Sequence, residues 1–148
     1  MSDTADIRDG QCLCGAVSFH ARLPTHGIHA CHCTQCQRWT GGCPLVVVSV
    51  EDPEIKGKDA LLRYEASGHG ERAVCGQCGS TIWWRMQGRT VKGIALGLLN
   101  DQSGLRVTEE IFVDYRPDWL KPFEGASQST EAEEFKKLDA FLASQRSY

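Results

Sequence analysis

Hydrophobic and polar positions alternate along several short stretches of the chain. In residues 16–23 one face is apolar, through Val17, Phe19, Ala21 and Leu23. Because successive side chains of a β-strand point to opposite faces, this pattern predicts a half-buried strand. Residues 108–115 alternate in the same way, and residues 44–50 form a run rich in β-branched valine that is typical of a fully buried strand.

Further strands are predicted at residues 61–66, 71–74, 81–86 and 91–99. The regions between them, residues 51–59 and 67–70, are rich in the glycine, proline and small polar residues that favour turns. Strands therefore recur about every 10–15 residues with turn signals between them, which indicates a mainly β domain.

The pattern changes to helical spacing near the C-terminus. Residues 130–133 read Thr-Glu-Ala-Glu, a capping box, and apolar residues follow at Phe135, Leu138, Phe141 and Leu142. We predict an amphipathic helix over residues 130–146, preceded by a short linker at residues 125–129. Residues 1–9 are interpreted as a frayed, acidic segment that leads into the fold.

Length and charge narrow the class of protein. The 148 residues, 41% hydrophobic and 24% charged, predict a single domain over residues 1–148 with a core of its own. The net charge of −3 argues against a nucleic-acid partner, since such proteins are usually basic. Without an apolar run of about 18 residues or an apolar signal core, we expect neither a membrane partner nor secretion, and a cytoplasmic location.

The eight cysteines change this picture most. A cytosolic protein of this size keeps its thiols reduced and does not depend on disulfides, so clustered cysteines point to metal binding. Seven of them fall into three groups along the chain: Cys12 and Cys14; Cys31, Cys33 and Cys36; Cys75 and Cys78. We expect Cys12 and Cys14 to share a face of an extended segment, and residues 75–79 to form a tight, glycine-containing turn that joins two sulfurs at the tip of a hairpin.

Counting ligands suggests two sites of different character. A closed structural zinc site takes four ligands, which the pairs Cys12–Cys14 and Cys75–Cys78 supply together. The remaining Cys31, Cys33 and Cys36 offer three ligands and leave one open position, as in a catalytic zinc site.

Two other arrangements of the second site stay open at this point. Cys43 could complete a closed four-cysteine site with the triplet, or His29 or His32 could take the fourth position. We favour Cys43 as a small buried residue, since free cysteine often behaves as an apolar side chain.

Three ordered motifs carry a resemblance to a known family. Residues 12–17 read Cys-Leu-Cys-Gly-Ala-Val, residues 31–36 Cys-His-Cys-Thr-Gln-Cys, and residues 75–80 Cys-Gly-Gln-Cys-Gly-Ser. In this order they resemble the glutathione-dependent formaldehyde-activating enzyme family, which includes the domain of centromere protein V. The resemblance runs over residues 10–120 and includes Thr-Gly-Gly at residues 40–42.

The resemblance implies a fold, cofactors and a reaction. It implies twisted antiparallel β-sheets, like a β-tent or sandwich, organised around zinc over residues 10–120, with the helix following. Cys12, Cys14, Cys75 and Cys78 would hold a structural zinc ion. Cys31, Cys33 and Cys36 would hold a catalytic one, which could be labile. Glutathione would be the co-substrate of a carbon–sulfur lyase that joins its thiol to formaldehyde, or to a related small aldehyde, giving S-hydroxymethylglutathione.

Glutathione carries two carboxylates, for which Arg38, Gly41 and Gly42 are candidate ligands: the arginine through its charge, the glycines through backbone N–H groups. Two non-enzymatic functions compete with the lyase. One is a zinc-stabilised binding module without chemistry, and the other is a thiol or metal sensor that uses the triplet.

Overall fold

The computed structural model describes residues 6–145, and over this range the protein is mainly β, as predicted. Short 3₁₀ turns lie at Lys58–Ala60, Leu96–Leu98 and Val113–Tyr115. The strands and helices are β1 Asp6–Gln11, β2 Ser18–Leu23, β3 Gly27–Cys31, α1 Thr34–Thr40, β4 Leu45–Glu51, β5 Glu54–Lys56, β6 Leu61–Tyr64, β7 Gly70–Cys75, β8 Thr81–Met86, β9 Val91–Ala95, β10 Arg106–Ile111, β11 Ser127–Ser129 and α2 Glu131–Gln145.

The chain forms two compact units, each made of two separate segments. The first contains residues 6–28 and 46–106, and the second residues 29–45 and 107–145. Each unit holds one of the cysteine clusters described below. That residues 1–148 form a single domain stays a prediction. Residues 1–5, and Arg146 at the end of the predicted helix, lie outside the described residues.

The first unit is built from antiparallel strands. β1, β2 and β5 form one sheet with β2 in the middle, and β4, β9, β8, β7 and β6 are hydrogen-bonded side by side in that order. The alternation predicted for residues 16–23 is confirmed, because Val17, Phe19, Ala21 and Leu23 are all buried. The predicted hairpin is β7 and β8, and residues 75–79 form its turn.

In the second unit, β10 lies between β3 and β11, and two helices accompany these strands. The pairing of β10 with β11 is parallel, unlike the antiparallel pairing that was expected throughout. The predicted capping box is confirmed: the Glu133 N–H donates to Thr130 Oγ1, and the Thr130 N–H donates to Glu133 Oε1 at 3.0 Å. Phe135 of α2 packs edge-on against Phe112, with ring centroids 6.2 Å apart.

Several elements were not predicted. Residues 6–9 belong to β1 rather than to a frayed segment, because they pair with β2 along their whole length. The short strands β5 and β11 lie in regions interpreted as a turn and a linker, and no element was predicted for β3 or for the helix α1. The strand predicted at residues 108–115 ends at Ile111, since Phe112 adopts a left-handed conformation with φ of 57° and starts a 3₁₀ turn. Within residues 6–145 no helix has the length and apolar character needed to cross a bilayer.

Candidate metal centres

The first cysteine cluster joins two turns of the chain, each of which is closed by the N–H of a glycine. Cys12 and Cys75 each accept, at their carbonyl oxygens, the N–H of a glycine three or four residues ahead: Gly15 at 3.1 Å and Gly79 at 2.7 Å. Both glycines have φ near +80°, which other residues adopt only with strain. The Cys12–Cys14 pair therefore lies on a turn and not in the extended segment that was expected, but its two sulfurs still come together.

The geometry of this cluster fits zinc. The Sγ atoms of Cys12, Cys14, Cys75 and Cys78 all lie within 4.8 Å of one another. Cys14 Sγ is 3.7 Å from Cys12 Sγ and 3.8 Å from Cys75 Sγ. Four sulfurs about 2.3 Å from a tetrahedral zinc ion would be about 3.8 Å apart, so these spacings need little adjustment.

Hydrogen bonds favour the thiolate, the form that binds metal, at two cysteines of the first cluster, Cys12 and Cys78. At Cys14 the Ala16 N–H lowers the pKa, but burial and the neighbouring cysteines outweigh it and raise the pKa to about 11. Burial raises the pKa of Cys12, but the Val17 N–H at 3.3 Å from its sulfur and the Cys14 thiol outweigh burial, and the pKa lies below its ordinary value. At Cys78, the Ser80 hydroxyl and then the Ser80 N–H lower the pKa to about 5. This hydroxyl lies 3.1 Å from Cys78 Sγ and accepts the Leu13 N–H at 3.0 Å, which orients it.

The Ser80 hydroxyl should set the pH at which this cluster releases metal. Without it, the pKa of Cys78 should rise from about 5 towards the ordinary thiol value of about 8.5. Because protons compete with zinc for the thiolate, we expect Ser80→Ala to release zinc at a pH higher by about half a unit. A chelating dye that reports free zinc measures the midpoint during acid titration.

The matched control for this prediction is Ser129→Ala, which removes a hydroxyl bonded to Glu134 in the other unit. It should leave the release midpoint of the four-cysteine cluster unchanged. An unchanged midpoint in Ser80→Ala would show that the hydroxyl does not stabilise the Cys78 thiolate.

The second cluster lies where a strand passes into a helix. Cys31 ends β3, Cys33 is the N-cap of α1, and Cys36 is buried in the first turn of α1. Their three Sγ atoms lie within 4.8 Å of one another. The Cys36 N–H donates to Cys33 Sγ at 3.3 Å, so the sulfur replaces the serine or threonine oxygen that usually caps a helix.

This arrangement favours a thiolate at the middle cysteine. Hydrogen bonds from the Cys31 and Cys36 thiols, assisted by backbone N–H groups of α1, hold the pKa of Cys33 well below its ordinary value. The hydrogen bond to Cys33 raises the pKa of Cys31, because the Cys31 thiol is its donor. Three sulfurs thus converge, a donor set that suits zinc.

Two arrangements left open by the sequence do not occur among residues 6–145. Cys43 does not join the three sulfurs. His32 Nε2 lies 2.8 Å from Glu110 Oε1 and its Nδ1 lies 3.3 Å from Cys43 Sγ, so both ring nitrogens are engaged elsewhere. His29 Nε2 lies 3.2 Å from a carboxylate oxygen of Glu109. The described residues around the triplet therefore include no fourth protein ligand.

Glu110 is the residue of this site that the sequence reasoning missed. Its side chain is fully buried, yet burial, which raises the pKa, is outweighed by hydrogen bonds from His32 and the Phe123 N–H and by the charge of Arg116. Its pKa is therefore lowered and the carboxylate is charged. A glutamate in an alternating strand is normally placed on the solvent face, so the sequence held no signal of this burial.

The candidates for binding glutathione carboxylates lie at the end of α1. Arg38 is exposed in its last turn, and Gly41 ends the helix with φ of 76°. The Gly41 N–H donates to the Gln37 carbonyl oxygen at 2.8 Å, and the Gly42 N–H to Thr40 Oγ1 at 3.2 Å. An anion would have to displace these acceptors to use either amide, so Arg38 is the stronger of the three candidates, and all three stay predictions.

The sequence matches a known protein family over most of its length. Residues 7–115 match the family described as glutathione-dependent formaldehyde-activating enzyme. The chain is also 23% identical over 111 residues to an uncharacterized lyase of Schizosaccharomyces pombe, which covers 74% of this chain and 81% of the relative.

The fold also resembles a solved structure. A Rhodobacter sphaeroides protein of known crystal structure superposes with a TM-score of 0.55 at 19% identity. The superposition covers 82% of this chain and 99% of that protein, and it supports the architecture described above.

Proposed function

The chain belongs to the glutathione-dependent formaldehyde-activating enzyme family, and from that premise we propose that it is a zinc-dependent carbon–sulfur lyase. Its substrates would be glutathione and formaldehyde, or a related small aldehyde. The observation that carries this proposal is the cluster of Cys31, Cys33 and Cys36, three converging sulfurs without a fourth protein ligand among the described residues. The S. pombe relative, itself named a lyase, agrees with this class of reaction.

Two zinc ions have separate roles in this proposal. Cys12, Cys14, Cys75 and Cys78 close a structural site, because four thiolates leave no coordination position for a substrate. Cys31, Cys33 and Cys36 form the catalytic site. Zinc held by three cysteines would offer one further position, where it could hold a thiol as thiolate or polarise an aldehyde oxygen.

The proposed reaction adds a thiol to a carbonyl group. A bond forms between the glutathione sulfur and the formaldehyde carbon, and the π electrons of the carbonyl move to its oxygen, which takes the proton lost by the thiol. The protein holds both reactants in one place, which removes part of the entropic barrier. Two of the three cysteines are held in place by α1. Cys33 caps the N-terminus of this helix through its sulfur, and Cys36 is buried in its first turn.

We place the reaction in the cytoplasm, with small molecules as the only partners. In this compartment glutathione is present and cysteines stay reduced. All eight cysteines lie in the described residues and none of them forms a disulfide, which agrees with this assignment.

The test is a rate measurement. Because glutathione adds to formaldehyde without a catalyst, exchange between formaldehyde and S-hydroxymethylglutathione is followed by ¹³C NMR at equilibrium. We expect micromolar zinc-loaded protein to accelerate exchange at least about tenfold, since positioning and a Lewis acid each contribute more than this.

Ser129→Ala serves as the control with intact clusters and should keep the acceleration. Fully zinc-loaded protein that leaves the exchange rate unchanged would contradict the lyase. If glutathione still bound the triplet without turnover, a thiol sensor would be supported, and if it did not bind, a binding module.

A further inference from the structure

We propose that Glu110 is a positioning residue for the three-cysteine cluster and that it acts through His32. The proposal rests on the proposed function in one respect, namely that Cys31, Cys33 and Cys36 bind a metal ion. It adds that a buried carboxylate outside the ligand set determines the geometry of that binding.

His32 is the residue that connects two of the ligands, and each of its polar atoms is bonded. Its N–H donates to the Ile111 carbonyl oxygen at 3.1 Å, and its carbonyl oxygen accepts from Gln37 Nε2 at 2.7 Å. Its ring nitrogens contact Glu110 and Cys43. The side chain is completely buried, so this residue has little freedom to rotate.

The Glu110 carboxylate is held in place at least as firmly as the His32 side chain. One carboxylate oxygen, Oε1, accepts from His32 Nε2 at 2.8 Å and from Arg116 at 3.2 Å. The other, Oε2, accepts from the Phe123 N–H at 2.8 Å and from Gln128 Nε2 at 2.7 Å. A carboxylate has about four lone-pair positions, and these donors fill them. The carboxylate is therefore a fixed point to which the His32 ring is attached.

This network also determines the orientation of the imidazole ring. Because a charged carboxylate only accepts, His32 Nε2 carries the hydrogen of that bond. Nδ1 lies 3.3 Å from the sulfur of Cys43, a thiol whose pKa is raised by burial. A ring flipped by 180° would place carbon atoms where Nε2 and Nδ1 now lie and would lose both contacts, so one orientation is selected.

The consequence for the metal site follows from chain connectivity. Cys31 and Cys33 flank His32, so the separation and direction of their sulfurs depend on the backbone angles of that one residue. A triplet with only three ligands cannot correct its own geometry with a fourth, as a closed site can. Partners outside the ligand set that orient the ligands typically change metal affinity ten- to a hundredfold when removed.

The experiment uses Glu110→Gln in the full chain, loaded with Co²⁺, whose visible bands report coordination geometry. Subtracting the spectrum of Cys33→Ser, which keeps the four-cysteine cluster, isolates the triplet. We expect a ten- to hundredfold weaker affinity of the triplet and altered band intensities. The affinity of the four-cysteine cluster should change less than twofold.

Two further variants keep the test decisive. Ser129→Ala removes another buried hydrogen bond of the same unit, to Glu134 at 2.6 Å, and should change neither cluster. If Glu110→Gln does not fold, His32→Asn decides by the same criteria, because Glu110 keeps its bonds to Arg116, Phe123 and Gln128.

Two results would overturn the proposal. One is a folded variant whose triplet keeps its affinity and its Co²⁺ spectrum. The other is an equal loss of metal from both clusters, which would mean general destabilisation. A wild-type triplet that binds metal but does not accelerate the exchange would contradict the proposed lyase and leave the role of Glu110 intact.

Discussion

Cys75→Ser is expected to lose the metal ion of the four-cysteine cluster and to melt about 6–20 °C below the wild type. Cys75 is completely buried at the end of β7, and its sulfur lies 3.8 Å from that of Cys14, 61 positions away in the sequence. Metal binding that ties together such distant segments contributes directly to the free energy of folding. In a domain of this size each lost kcal/mol lowers Tm by about 2–4 °C, so a loss of about 3–5 kcal/mol gives the expected shift.

Zinc per chain by elemental analysis and Tm by circular dichroism measure this effect. Cys43→Ser is the matched control, because it replaces a cysteine outside both clusters and its hydroxyl can still donate to His32 Nδ1. The control should keep all its zinc and its Tm. Excess chelator should lower the Tm of the wild type as much as Cys75→Ser does. A Cys75→Ser protein with an unchanged Tm would show that this cluster is not structural.

Cys33→Ser is expected to abolish the glutathione-dependent reaction while leaving the fold nearly intact. The serine Oγ can accept the Cys36 N–H as the sulfur does, so the cap of α1 is kept and only the metal ligand is lost. The triplet spans a short stretch of chain, so its metal closes a small loop and adds little stability. We expect Tm to change by no more than about 3 °C, by the same relation between stability and Tm.

Zinc stoichiometry, Tm and the NMR exchange rate are compared in Cys33→Ser and Cys75→Ser. Cys33→Ser should retain one zinc ion of two and lose the rate acceleration. If both variants unfold alike, the triplet is structural and the binding module is the better explanation. If Cys33→Ser keeps its full rate, the catalytic role given to the triplet is wrong even if the protein is a lyase.

The sequence by itself determined the features that depend on local spacing or on the number of ligands a metal site takes. The division of seven cysteines into a group of four and a group of three agrees with the two clusters of the structure. The alternation that buries Val17 and Phe19, the β7–β8 hairpin and the capping box at Thr130 were also predicted correctly. The strand, the hairpin and the capping box depend on residues a few positions apart, where the period of a strand or a turn decides the geometry. The four-cysteine group joins pairs 61 positions apart, and it was predicted from the number of ligands that a tetrahedral zinc site takes.

Only the tertiary structure decided the features that depend on distant partners. Residues 6–9 have no strand pattern of their own and become β1 because β2 offers its edge. The helix α1 escaped prediction for a local reason, because its cap is a cysteine sulfur, a role that cysteine does not usually have. Glu110 is 78 positions from His32, and its burial is possible only because donors from four separate places in the second unit meet its two oxygens. Satisfying a buried charge in this way is a property of the folded arrangement, and no short segment of the sequence records it.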